Sequence, residues 1–161
     1  VFPVASPRLL GKKRSWKLPE LLAQTLLHDE ALSDDPGRVG WSTWLEAAGM
    51  VTARRQRPPA RGSLTFSHAY LAIEAALAGD GVALARRSLV ADDLARGRLI
   101  APFALAVPSG LSYWFVSARG SKQRPSVSLL RDLLSQQLAA AERVAQRFCG
   151  SQPRRMRQTK R

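Results

Sequence analysis

The 161-residue sequence holds a single cysteine, Cys149, and only two histidines, His28 and His68. One thiol cannot build an internal disulfide framework or a Cys-rich zinc site. It suits a reducing compartment. No apolar run reaches about 18 residues, which argues against a transmembrane helix. The opening Phe2-Pro-Val-Ala-Ser is too short for the apolar region of a signal peptide. No initiator Met stands at position 1, so the chain reads as a fragment or a processed piece. Hydrophobic residues make up 45%, which excludes wholesale disorder, and the length suits one domain or one and a fragment.

Acidic residues are missing from both ends. Residues 1–17 carry Arg8, Lys12, Lys13, Arg14 and Lys17 and no acid, and residues 153–161 carry five basic residues and no acid. These 26 residues account for +10 of the formal charge of +13, and the other 135 carry only +3. A basic tail binds nucleic acid by counterion release. The plainer reading, and the one favoured, is a solvated, disordered end.

What is present is an alternation of short apolar runs and helical patterns. Val1–Ala5, Thr25–His28, Leu64–Phe66, Val82–Ala85 and Leu99–Phe103 read as strands, and Leu111–Ala118, apolar on both faces, as a central strand. Pro19–Gln24 reads as a short helix opened by proline. Trp41, Trp44, Leu45 and Ala48 fall on one face of a second helix that ends at Gly49. His68–Ala78 is nearly all apolar and is expected to be largely buried, with Gly79-Asp80-Gly81 as its stop. Ser88–Arg96 is expected to keep Asp92 and Asp93 on its wet side. A final helix opens at Pro125-Ser126, and Leu130, Leu133, Leu134, Ala141, Val144, Ala145 and Phe148 make a stripe that packs along a sheet or a partner. Ala31–Val39, which carries Ser33, Asp34, Asp35, Pro36 and Gly37, and Arg54–Gly62 read as loops. The alternation predicts an α/β architecture with a mostly parallel sheet. Ligands in such sheets sit at the carboxyl ends of strands. That points to Ser6, to Ser67-His68 and to Arg86-Arg87-Ser88.

Catalytic and metal patterns are absent. Cys149 lies near a helix C-terminus, where its pKa is not lowered. No G-x-S-x-G elbow exists, and no spacing supports a Ser-His-Asp triad. His28-Asp29-Glu30 are adjacent and point in different directions, so a polar strand end is the better reading than a metal site. Gly79-Asp80-Gly81 precedes a strand rather than a helix, so it is no phosphate loop. The basic loop of Arg54, Arg55, Arg57 and Arg61 carries no aromatic strand or helix-turn-helix pattern. What remains is a small-molecule pocket. Ser67 and His68 precede a helix whose free N–H groups favour an anionic or polar ligand. Ser6 ends another strand, and Tyr113 lies where its hydroxyl could enter the same cleft. The plainer alternative is a capping serine and a surface histidine.

Four stretches carry a resemblance: Phe2–Leu10; Thr25–Glu30 with Trp41–Gly49; the long run Phe66–Leu94; and Gly97–Phe103 with Tyr113-Trp114. In combination and order they resemble the C-terminal effector-sensing domain of LysR-type transcriptional regulators, and within that family the glycine-cleavage-activator subgroup. The resemblance implies a periplasmic-binding-protein-like type II fold, with two α/β subdomains around an effector cleft. Residues 1–5 would be a crossover strand, 6–85 the second subdomain, 86–150 the returning part of an incomplete first subdomain, and 151–161 a basic disordered tail. Its implied site residues are Ser6, Ser67, His68 and Tyr113. Many relatives carry a hydroxyl residue where this chain has Ala69.

On this resemblance the chain is a cytoplasmic sensing module, not an enzyme, with no metal and no cofactor. Its partner would be a small effector such as an amino acid or small carboxylate. It would contact DNA only through a helix-turn-helix domain that no stretch here matches, as part of a homodimer or homotetramer, and it would not contact a membrane. Two other readings are a stand-alone solute-binding protein and a basic nucleic-acid-binding module acting through the tails. An incomplete sheet would leave an edge and a helix stripe uncovered.

Overall fold

The computed structural model describes residues 1–11, 13, 15–31, 38–50, 61–110, 112–120 and 124–148. Most of the Ala31–Val39 loop, most of the Arg54–Gly62 loop, Cys149 and the 151–161 tail lie outside the described residues.

Four strands form one sheet. They are β1 (Phe2–Ala5), β2 (Thr25–Asp29), β3 (Gly62–Phe66) and β4 (Val82–Ala85), in the spatial order β1-β4-β2-β3. β4, β2 and β3 run parallel, with Leu26 beside Val82 and Leu27 beside Leu64. β1 runs antiparallel to β4, with Phe2 opposite Ala85 and Ala5 opposite Val82. The predicted mostly parallel sheet is therefore right for three strands, and the direction of the fourth matters for the site.

Helices cover both faces, and residues alternate between them with period two, as a pleated strand requires. On one face Phe2, Val4, Leu27, Ala83 and Ala85 pack with Ala72, Ile73 and Ala76 of α4 (Ala69–Ala78) and Val90 and Leu94 of α5 (Arg87–Ala95). On the other, Ala5, Leu26 and Val82 pack with Trp16, with Leu21 of α2 (Leu18–Leu22), and with Trp41, Trp44 and Leu45 of α3 (Trp41–Ala47). A one-turn helix, α1 (Pro7–Leu10), follows β1 and was not expected from the sequence. α4 is less buried than its composition predicts, because Tyr70 is 59% exposed and Leu71 and Glu74 are also exposed. Its small alanines make the close contact with the sheet. Asp93, expected on the wet side of α5, is buried and forms an ion pair with Arg98 at 2.5 Å.

Leu99 and Ala106 join the first core cluster. The expected strand at Leu99–Phe103 is reduced to one bridge. Ala5 N–H donates to Ile100 O at 3.1 Å and Ile100 N–H donates to Ala5 O at 2.9 Å. The next hydrogen-bonded pair in that register would set Pro3 against Pro102, and neither has an N–H to donate. The segment is bonded again just before β1, where Val107 N–H donates to Val1 O at 2.8 Å.

The expected central strand at Leu111–Ala118 does not form over its described residues. Trp114 and Val116 are 84% and 86% exposed. An apolar run becomes a strand only where partners satisfy its backbone groups. The last helix, α6 (Pro125–Phe148), packs against α5, and Arg87 pairs with Glu142 at 2.5 Å. The leucines of its predicted stripe, Leu130, Leu133 and Leu134, remain exposed.

Candidate functional site

Three parallel strands end on the same rim of the sheet. β2 ends at Asp29, β3 at Phe66 and β4 at Ala85. The chain then turns into α4 through Ser67-His68 and into α5 through Arg86. His68 and Arg86 are the residues before these helices, both extended, and neither side chain caps the first turn. The leading N–H groups of each helix have no intrahelical acceptor. The Ser67 hydroxyl lies 3.0 Å from His68 Nδ1, and the His68 ring lies 5.4 Å from that of Tyr70. Ser67 therefore pairs with the imidazole rather than serving as the helix cap. No acidic side chain is bonded to that ring among the described residues, so the pair lacks the third group that orients a catalytic histidine. Its hydroxyl and ring nitrogens are suited to hydrogen-bonding a ligand.

Ser6 does not reach this rim. Because β1 is antiparallel, its carboxyl end lies beside Gly81 and Val82, at the amino ends of the other strands. Three strand steps, about 10 Å at 3.3 Å each, separate it from the rim. Ser6 is buried, only 4% exposed. The other end of β1 takes its place, and Val1 is the residue at the site.

Two cavities adjoin there. The smaller, about 50 Å³, is lined by His28, Asp29, Trp41, Ala69 and Arg86 among others. Trp41 is fixed by its indole N–H, which donates to Leu27 O at 3.0 Å. Arg38 donates to Asp29 O at the same place. The larger, about 360 Å³, opens between the start of α5, the 106–113 segment and α6, with Arg86, Arg87, Ser88, Tyr113 and Glu142 in its wall. Val1, Arg86 and Ser109 line both. Tyr113 enters the larger cavity, where its hydroxyl accepts from Ser88 Oγ at 3.1 Å. Ser67 and His68 line neither cavity, although the next residue, Ala69, lines the smaller.

The strand-end rule points to Arg86. The roles of Val1 and Ser109 depend on the direction of β1 and on its pairing with Val107, and no local pattern announces either. Among the described residues no cluster of three or more metal-ligating side chains occurs, and no helix is long and apolar enough to cross a membrane.

This is the layout of a ligand-binding domain, and the family model for the LysR substrate binding domain matches residues 1–139. The chain belongs to that family. It is 32% identical over 149 residues to the glycine cleavage system transcriptional activator of Escherichia coli, covering 92% of this chain and 45% of that protein. It is 36% identical over 140 residues to the HTH-type transcriptional regulator TrpI of Pseudomonas aeruginosa, covering 85% of this chain and 43% of that one. The effector domain of the Pseudomonas aeruginosa regulator AmpR superposes with a TM-score of 0.60 at 28% identity, over 91% of this chain and 64% of that chain. The chain thus spans about half the length of the curated relatives it matches. Its fold is the periplasmic-binding-protein-like type II fold of these effector domains.

Proposed function

We propose that the chain is the effector-sensing part of a LysR-type transcriptional regulator. A small molecule binds at the rim where β2, β3 and β4 end, and its preference for one arrangement of the surrounding segments shifts the equilibrium between them. That shift acts on DNA through a helix-turn-helix domain elsewhere in the complete protein. The observation that carries this reading is the family match over residues 1–139, on a sheet whose parallel strands β2 and β4 end at the two cavities. The named relatives are transcriptional regulators, which supports a sensing rather than an enzymatic role. A cytoplasmic protein acting as a homodimer or homotetramer fits this role.

Ser67, His68 and Tyr113 are proposed ligand contacts. Ser6, at the far end of β1, is not carried forward as one. The sensing unit comprises the sheet and its helices as far as about Val107, and the segment from Pro108 through α6 belongs to the other side of the cleft. The shared core of Phe2, Val90, Leu99 and Ala106 supports this division.

The test is a promoter-reporter assay on the complete regulator. Ser67→Ala and His68→Ala should each weaken the effector response. Both residues are exposed, so the unfolding midpoint should barely move, within about 0.5 kcal/mol. An unchanged response in both variants would overturn the assignment of these contacts.

A further inference from the structure

We propose that the larger cavity is an anion site, and that Arg86 selects its ligand. The inference rests on the effector-sensing reading, because this cavity adjoins the rim. Its volume of about 360 Å³ suits a small organic molecule. Two arginines, Arg86 and Arg87, line it against one acidic residue, Glu142. Glu142 is engaged by Arg87 at 2.5 Å. Arg86 is half-buried and its guanidinium has no ion-pair or hydrogen-bond partner among the described residues. A partly desolvated guanidinium without a counter-charge is unfavourable, and its planar fork matches a carboxylate or phosphate with two parallel hydrogen bonds.

The rest of the wall narrows the ligand class. The Ser88 and Tyr113 hydroxyls, held together across two segments at 3.1 Å, offer further polar contacts. Leu138 supplies an apolar surface from α6. The ligand is a small anion with an apolar body. Its charge also competes with Glu142 for Arg87, the ion pair that ties α5 to α6. Binding is thereby coupled to the position of α6.

Calorimetric titration of the 161-residue chain with benzoate, benzamide and inorganic phosphate tests this. Benzoate should bind at least about tenfold more tightly than its neutral amide, since a charge-assisted hydrogen bond is lost in the amide. Phosphate should bind more weakly than benzoate if the apolar body contributes. Arg86→Ala should weaken benzoate at least about tenfold, with Arg86→Lys intermediate. Glu142→Gln should tighten it, because Arg87 is then free for the ligand. Circular dichroism of Arg86→Ala checks that the variant is folded.

Benzoate affinity unchanged by Arg86→Ala would overturn the proposal. So would the failure of benzoate and phosphate alike to bind the wild type and the Glu142→Gln variant. Either result leaves the effector-sensing reading standing if the complete regulator still loses its response in Ser67→Ala. A reporter response intact in Ser67→Ala and His68→Ala, together with benzoate binding lost in Arg86→Ala, would instead remove the Ser67-His68 contacts and keep this site.

Discussion

Replacing Gly81 with alanine should destabilise the chain more than replacing Gly79, although the two glycines are neighbours in one turn. Gly79 closes α4 in the left-handed region, with φ of 93° and open space where a Cβ would stand. An alanine there meets only backbone strain, about 1–2 kcal/mol. Gly81 precedes β4 and lies beside β2. A Cβ on it would stand 2.4 Å from Thr25 O and 2.9 Å from Leu27 Cδ2. Thr25 O is backbone at the start of a paired strand, so relief means moving one strand of the sheet against another. Overpacking of this kind costs about 1–3 kcal/mol, and a backbone obstacle places it at the upper end.

The loss of glycine's freedom in the unfolded chain returns about 0.4–1 kcal/mol to either variant. The net for Gly81→Ala is about 2 kcal/mol, and for Gly79→Ala about half that. With a urea dependence of about 2 kcal/mol per molar, the Gly81→Ala midpoint should fall by about 1 M. Urea unfolding followed by the fluorescence of buried Trp41 and Trp44 measures both. A Gly81→Ala midpoint within about 0.2 M of wild type, or no lower than that of Gly79→Ala, would refute the close approach of β2 and β4 at this residue.

Two further outcomes are expected. Trp44 is fully buried, stacks edge-on against Phe103 at 5.1 Å and donates its indole N–H to Leu105 O at 3.2 Å. Trp44→Ala should cost about 3–5 kcal/mol and Trp44→Phe less, about 1–3, and a denaturant series showing equal losses would mean that volume is not the main contribution. The Glu20 carboxyl is held below its ordinary pKa by its hydrogen bond from Lys13 and then by the Lys17 backbone N–H at 2.7 Å. A lowered folded pKa contributes stability that is present above the unfolded value and lost as pH falls through the folded one. Glu20→Gln should therefore lose stability relative to wild type at neutral pH and converge with it in acid, and parallel pH–stability curves would count against the contact.

Apart from the one-turn α1, the helices and strands up to Ala95 were legible because each carries its own period. Trp41, Trp44 and Leu45 mark one helical face, and Val82–Ala85 is a short apolar run bounded by Gly81 and Arg86. Such patterns depend on neighbours in the chain. Leu99–Phe103 and Leu111–Ala118 carry the same apolar signal, yet the first meets a proline in its partner strand and the second forms no strand over its described residues. Composition cannot report a partner's hydrogen-bonding capacity. Asp93 illustrates the same limit, since its burial depends on the reach of Arg98.

For the site, the sequence by itself determined the residue types and their place after strands: Ser67-His68 before α4, and Arg86 before α5. It also carried the family resemblance that the match over residues 1–139 bears out. Only the tertiary structure decided which of those strand ends meet. The antiparallel run of β1 sends Ser6 to the far edge and brings Val1 to the rim. The pairing of Val1 with Val107 sets Ser109 beside Arg86, and the packing of α6 on α5 sets Glu142 beside Arg87. Strand direction and helix docking are set by contacts between residues more than fifty positions apart, and a local pattern carries no record of them.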